Sequence, residues 1–251
     1  MAKKALEAIL GNGDTSELVD KKVDVLNQSK RIPAAVLIDT SGSMHGYEAL
    51  LKKSVEQLYD EILSDRDAGN STELAVMAYN NDVEILEKLR EIKKQKSKGR
   101  DLKFECKGVT LTGLALKTAI HQLESRKKAY AESTHITKYY APLLFILSDG
   151  CPYCDNPKVA AQDKAALAES IKYIRQEVST NNLVVIAVEI GNDCDHKLLQ
   201  SLTGLDDDKH VIKIDHASEL SHFFKLTSSV IISSSKFGTT RLNDMSIKDM
   251  K

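Results

Sequence analysis

Pro33 to Ser43, PAAVLIDTSGS, runs from an apolar stretch directly into one acid and a group of hydroxyls. Ala34 to Ile38 are apolar at consecutive positions, the pattern of a strand buried on both faces of a parallel sheet. Pro33 has no amide hydrogen and is expected only at the opening of such a strand. Gly42 permits a tight bend and close backbone approach. Asp39, Ser41 and Ser43 would then emerge at the carboxyl end of a central strand, where open α/β sheets bind ligands.

The same layout recurs further on. Pro142 to Ser148 (PLLFILS) is a second proline-led apolar run, ending in Asp149-Gly150. Glu73 to Tyr79 and Leu183 to Ile190 predict two more strands, and His210 to Ile214 a short one. Asn80-Asn81-Asp82 is turn chemistry, so Val83 to Leu86 is expected to fold back as an antiparallel edge strand. Between the strands lie amphipathic stretches. Tyr47 to Leu63 places Leu51, Val55, Leu58 and Ile62 on one helical face. Gly108 to Gly113 opens a helix carrying Leu116, Ile120 and Leu123; a later one carries Leu167, Ile171, Ile174 and Val178. Short helices are expected over Lys197 to Leu202 and from about Ser218, with Leu220, Phe223 and Phe224 inward. Strands alternating with helices imply βαβ units. The fold class is therefore α/β: a doubly wound, mostly parallel sheet with one antiparallel edge strand and helices on both faces.

That domain takes residues 31–237. Residues 1–30 read as an N-terminal arm, with a short helix over Ala5 to Leu10, a breaker cluster Gly11 to Asp14, and an alternating segment Lys22 to Leu26. Residues 238–251 read as a polar, frayed tail.

Composition narrows the partners. At 42% hydrophobic and 28% charged, 251 residues can bury a core without disulfides. A net charge of -1 provides no pull toward nucleic acid or membrane, and neither is an expected partner. Lys93, Lys94, Lys96, Lys98 and Arg100 have no aromatic residues among them and read as a solvated loop. The start, MAKKALEAIL, is too short and polar for a signal peptide, and no run of about 18 apolar residues occurs. The expected location is cytoplasmic.

Three loops should meet at the carboxyl edge of the sheet: Asp39 to Ser43, Thr110 at a helix start, and Asp149-Gly150. Their donors are all hard oxygens, suited to Mg²⁺, or Mn²⁺ and Ca²⁺, rather than zinc. This constellation resembles the von Willebrand factor A (VWA) domain and its metal-ion-dependent adhesion site. The family pattern is DxSxS, a distal threonine and a distal aspartate, here Asp39, Ser41 and Ser43, then Thr110, then Asp149. Thr112 is the fallback for the threonine. The DTSGSM string and the LSDG loop are similar to those of intracellular bacterial VWA proteins of tellurite-resistance operons. The resemblance implies a binding module rather than an enzyme, working beside kinases or phosphatases. It also implies a divalent cation that a partner's Asp or Glu completes.

Other readings compete. Asp39 could be a hydrolase nucleophile, making the chain a Mg²⁺-dependent hydrolase, but such enzymes place a second acid where Ser41 stands. Cys151-Pro152-Tyr153-Cys154 resembles the glutaredoxin active-site string, without that family's order of strands. Cys151 and Cys154 could form a reversible disulfide, giving a redox-regulated or thiol-active protein. They could join Cys194 or a histidine in a soft-metal site, or be incidental. The histidines are scattered, with His196 near Cys194, and His45, beside the motif, is expected in solvent.

Overall fold

The computed structural model describes residues 22–23, 27–133, 138–149, 151–191, 195–215, 219–239 and 242–247. The expected helix Ala5 to Leu10, the breaker Gly11 to Asp14, most of Lys22 to Leu26, Gly150, Cys194 and Ser218 lie outside the described residues. So do residues 248–251 at the end of the expected tail.

Six strands form one sheet: β1 (Ile32–Asp39), β2 (Thr72–Tyr79), β3 (Val83–Glu91), β4 (Leu143–Ser148), β5 (Val184–Ile190) and β6 (Val211–Ile214). Their order is β3-β2-β1-β4-β5-β6, with every pair parallel except β2–β3. β1 and β2 are buried at every position, which is why the alternation of a half-exposed strand is missing from PAAVLI and ELAVMA.

Among the described residues six α-helices pack around the sheet: α1 (Glu48–Ser64), α2 (Arg66–Ser71), α3 (Thr112–Glu132), α4 (Pro157–Ser179), α5 (His196–Thr203) and α6 (Leu220–Phe237). Ala34, Val36 and Ile38 pack with Leu51 and Val55 of α1 and Phe223 and Phe224 of α6. Ala35 and Leu37 point the other way, into Leu114 and Leu116 of α3, Ile174 of α4 and Leu202 of α5. Gly113 lets α3 and α4 touch, since a Cβ there would lie 2.0 Å from the Asp163 carbonyl oxygen. Among the described residues no helix is long and apolar enough to cross a membrane.

Several expectations need correction. Pro33 is the second residue of β1 and not its opening. Arg31 exchanges backbone hydrogen bonds with Lys138 and Tyr140, so Pro33, two residues on, faces the same side. Pairing with β4 begins only at Ala34–Leu143, so the missing N–H falls where no ladder bond is made. β3 continues past Leu86 to Glu91 because its polar residues have buried partners: Glu87 accepts from Ser97, and Glu91 pairs with Arg31. Register shifts against β2 further blur its period. The lysine-rich loop does expose Lys93, Lys94, Lys96, Lys98 and Arg100. It is nonetheless anchored from beneath by buried Gln95, which accepts from the Tyr59 hydroxyl and donates to the Leu74 carbonyl.

Gly108 to Leu111 is loop, and α3 starts at Thr112. The short α2 was not anticipated; Asp65 caps it by accepting from the Asp67 and Ala68 amides. The described part of the tail is not frayed. Leu242 and Ile247 are buried, and His210 reaches the Leu242 carbonyl at 2.8 Å.

Candidate metal centre

The parallel register brings the ends of β1 and β4 side by side, with Ile38 opposite Leu147. Asp39 is wholly buried there. One carboxylate oxygen accepts from the Ser41 amide at 2.9 Å and the other from the Ser148 hydroxyl at 2.9 Å. The Ser41 and Ser43 hydroxyls lie 3.1 Å apart, and Ser43 donates to Asp149 Oδ1 at 3.0 Å. A continuous polar chain thus joins Asp39, Ser41, Ser43, Asp149 and Ser148. Ser43 is exposed and Asp149 half-buried, so the chain opens to solvent at one end.

The site brings two carboxylates, Asp39 and Asp149, onto one chain of hydrogen bonds. Burial pushes the Asp39 carboxyl up to about 6; hydrogen bonds from Ser41 oppose this, and the charge of Asp149 adds to it. Burial also raises Asp149, against the hydrogen bond from Ser43. The neighbouring Cys106 thiol is pushed up to about 12 by burial and then by Glu48, Asp39 and Asp149. Burial is the largest cause of all three shifts; neighbouring carboxylates add to those of Asp39 and Cys106, where a cation would offset them.

Thr110 reaches this edge by a different route. Gly42 N–H donates to the Gly108 carbonyl at 3.2 Å, and Lys107 N–H to the Thr40 carbonyl at 2.8 Å. Asn81 Oδ1 accepts from the Val109 amide at 2.7 Å, while Asn80 donates to the Glu105 carbonyl at 3.1 Å. Thr110 then exchanges two backbone hydrogen bonds with Tyr153, at 2.9 and 3.2 Å. Both of these bonds run through its backbone and hold Thr110 in the loop that follows Gly108. Thr112 is buried in the first turn of α3.

Sequence reasoning missed Ser148, Asn81 and Tyr153. Ser148 stood next to Asp149, and only the strand register shows that it faces Asp39. Asn81 read as turn chemistry, and Tyr153 was hidden between two cysteines. His45 is exposed, as expected, and pairs with Glu48 at 3.3 Å. His196 bridges Glu189 at 2.7 Å and Asp208 at 3.1 Å.

Asp39, Ser41, Ser43, Thr110 and Asp149 offer only oxygen donors, a set that fits a hard divalent cation. Among the described residues no group of three or more His, Cys, Asp or Glu side chains could hold a metal ion. The two carboxylates therefore need the hydroxyls to make a ligand set.

Fold and site geometry together define a VWA-type domain. The von Willebrand factor type A domain family matches residues 35–226, and the chain belongs to that family. Such domains are typically metal-dependent adhesion or protein-binding modules and usually not catalysts. Similar solved structures include proximal thread matrix protein 1 from the mussel byssus, at 17% identity and TM-score 0.57, covering 82% of this chain and 49% of that one. A form of that protein with a zinc-occupied MIDAS motif aligns at 19% identity and TM-score 0.56, over 81% and 48% of the two chains. A von Willebrand factor type A protein from Catenulispora acidiphila aligns at 18% identity and TM-score 0.54, over 81% and 43%. At these identities the likeness is one of fold, and this chain spans about half the length of the mussel protein. No curated protein sequence matches the chain.

Proposed function

We propose that this protein is a metal-dependent protein-binding module. Asp39, Ser41, Ser43, Thr110 and Asp149 would hold Mg²⁺, Mn²⁺ or Ca²⁺, and the partner would present an Asp or Glu side chain. The observation that carries this reading is the hydrogen-bonded chain from Asp39 through Ser41 and Ser43 to Asp149, which gathers two carboxylates and two hydroxyls at one end of the sheet. The hydroxyls of Ser41, Ser43 and Thr110 are neutral, so donors of this kind leave most of an ion's positive charge uncancelled. A bound divalent cation supplies a Lewis-acidic position at which a partner's carboxylate can complete the coordination shell.

The likeness of DTSGSM and LSDG to tellurite-resistance-operon proteins supports a finer reading, a cytoplasmic bacterial stress or metal-resistance complex that includes a kinase or phosphatase. Calorimetric titration of Mn²⁺ and Mg²⁺ into wild type, Ser43→Ala and Asp149→Asn tests the site. Loss of at least about tenfold in affinity is expected for each variant, with thermal melts showing it folded. Both variants binding Mn²⁺ as tightly as wild type would sink the reading.

A further inference from the structure

Cys151 and Cys154 immediately follow the Asp149 loop, and both are thiols. Cys151 is exposed; Cys154 is half-buried, against the core that α3 and α4 share. Tyr153, between them, is the residue that pairs with Thr110 through two backbone hydrogen bonds. From Cys151 to Cys154 the chain makes neither a turn nor a bend. An extended chain advances roughly 3 Å per residue, so three such steps separate the end Cα atoms by roughly 9–10 Å. A disulfide needs those atoms within about 4.4–6.8 Å. The disulfide therefore requires a bend at Pro152-Tyr153, and the bend removes Tyr153 from its pairing with Thr110. The pairing is an isolated bridge, and the Tyr153 ring is 64% exposed, so burial of that ring does little to hold it.

We propose that Cys151 and Cys154 are a thiol-oxidation site whose disulfide forms at the expense of the Thr110–Tyr153 bridge. The redox state of the pair then sets where Thr110 stands relative to Ser41 and Ser43. Only this last step rests on the metal-binding reading; the exclusion between bridge and disulfide does not. The oxidant is a small disulfide such as glutathione disulfide. The exposed Cys151 sulfur loses its proton to water and attacks one sulfur of the oxidant, whose S–S bond breaks and expels a thiolate. The Cys154 sulfur, deprotonated in turn, attacks the Cys151 sulfur of the mixed disulfide and expels the second thiolate. Two protein thiols lose two electrons, the oxidant's S–S bond gains both, and the two protons end on the released glutathione thiols.

The test uses the full chain equilibrated in reducing and oxidising glutathione buffers, with peptide mapping after alkylation and residue-resolved amide exchange by NMR. The expected result is a Cys151–Cys154 disulfide, with the Thr110 and Tyr153 amides exchanging at least about tenfold faster than in the reduced protein. Cys151→Ser should keep both amides protected in either buffer. No disulfide under oxidising conditions, pairing with Cys194 or with a second chain instead, or a disulfide that leaves both amides protected would each overturn the proposal. Mn²⁺ titration of the two forms reads the coupling: weaker binding by several-fold in one form supports it, and equal binding removes it. Absence of Mn²⁺ binding in both forms would overturn the metal reading, and the exchange rates would still decide the switch.

Discussion

Gly108 shows how one residue holds the metal-site loops together. Its φ of +71° lies in the left-handed region, and a Cβ there would stand 1.8 Å from Asn81 Oδ1. That same oxygen accepts from the Val109 amide, and the Gly108 carbonyl accepts from Gly42 in the turn between Ser41 and Ser43. A side chain at 108 would therefore displace Asn81 and strain the backbone that leads to Thr110. Gly108→Ala is expected to cost about 1–3 kcal/mol. Asn81→Ala alone should cost about 1 kcal/mol for its lost hydrogen bond. Because Asn81 is the group struck, the double variant should lose less than the sum of the two. Urea midpoints for the four proteins measure this. Strict additivity would mean that the loss at 108 is backbone strain alone.

At the scale of elements, legibility followed burial. β1, β2, β4 and β5 are buried on both faces, so their apolar runs could be read directly, and the acids at the ends of β1 and β4 with them. Leu51, Val55, Leu58 and Ile62 of α1 are all fully buried, as their spacing required. β3 was truncated because Glu87 and Glu91 look like surface residues, yet Glu87 is held by Ser97 of the following loop and Glu91 by Arg31, far along the chain. Thr110 was only half legible for the same reason, since Asn81 and Tyr153 fix its loop. α5 carries another such long-range contact. His196 links its first turn to Glu189 of β5 and to Asp208 beyond the helix, and Lys213 reaches Glu189 from β6 at 3.4 Å. The Glu189 hydrogen bond, together with Asp208, raises the His196 pKa although the ring is half exposed. A histidine raised on folding adds stability that is fully present below its unfolded value of about 6.5 and is lost as pH rises through the folded value. The difference in Tm between wild type and His196→Gln should thus be larger at about pH 5.5 than at about pH 8.5. Its Asp208 share should also shrink with salt, because His196 and Asp208 are both reached by solvent, whereas Glu189 is buried. A difference independent of pH would show that the imidazole acts here by shape rather than charge.

Across the whole molecule, the two ends of the sheet do opposite work. The carboxyl end gathers Asp39 and Asp149 around the serine hydroxyls and opens to solvent at Ser43. The other end closes its charges completely. Glu73, at the start of β2, accepts from Arg126 Nη2 at 2.7 Å and from the Tyr130 hydroxyl at 2.6 Å, with Arg31 at 3.7 Å. Arg31 also pairs with Glu91 at 3.6 Å, and Arg126 donates to the Lys22 carbonyl at 2.7 Å. Arg31, Glu73 and Arg126 have no exposed side-chain surface. Removing one member strands buried charge, so Glu73→Gln should cost about 3–5 kcal/mol, while Glu73→Met with Arg126→Met should cost less than the sum of its parts. The length of β1 sets these charges apart from Asp39 by roughly 20–25 Å, where Coulombic coupling has fallen to about a fifth of its value at 4 Å. Stability and the proposed cation binding are then expected to be separable. Urea unfolding should register the loss, while Mn²⁺ titration of the folded Glu73→Gln protein gives the wild-type affinity. A folded Glu73→Gln protein that binds Mn²⁺ markedly more weakly would show that the buried ion network reaches through the sheet to the site.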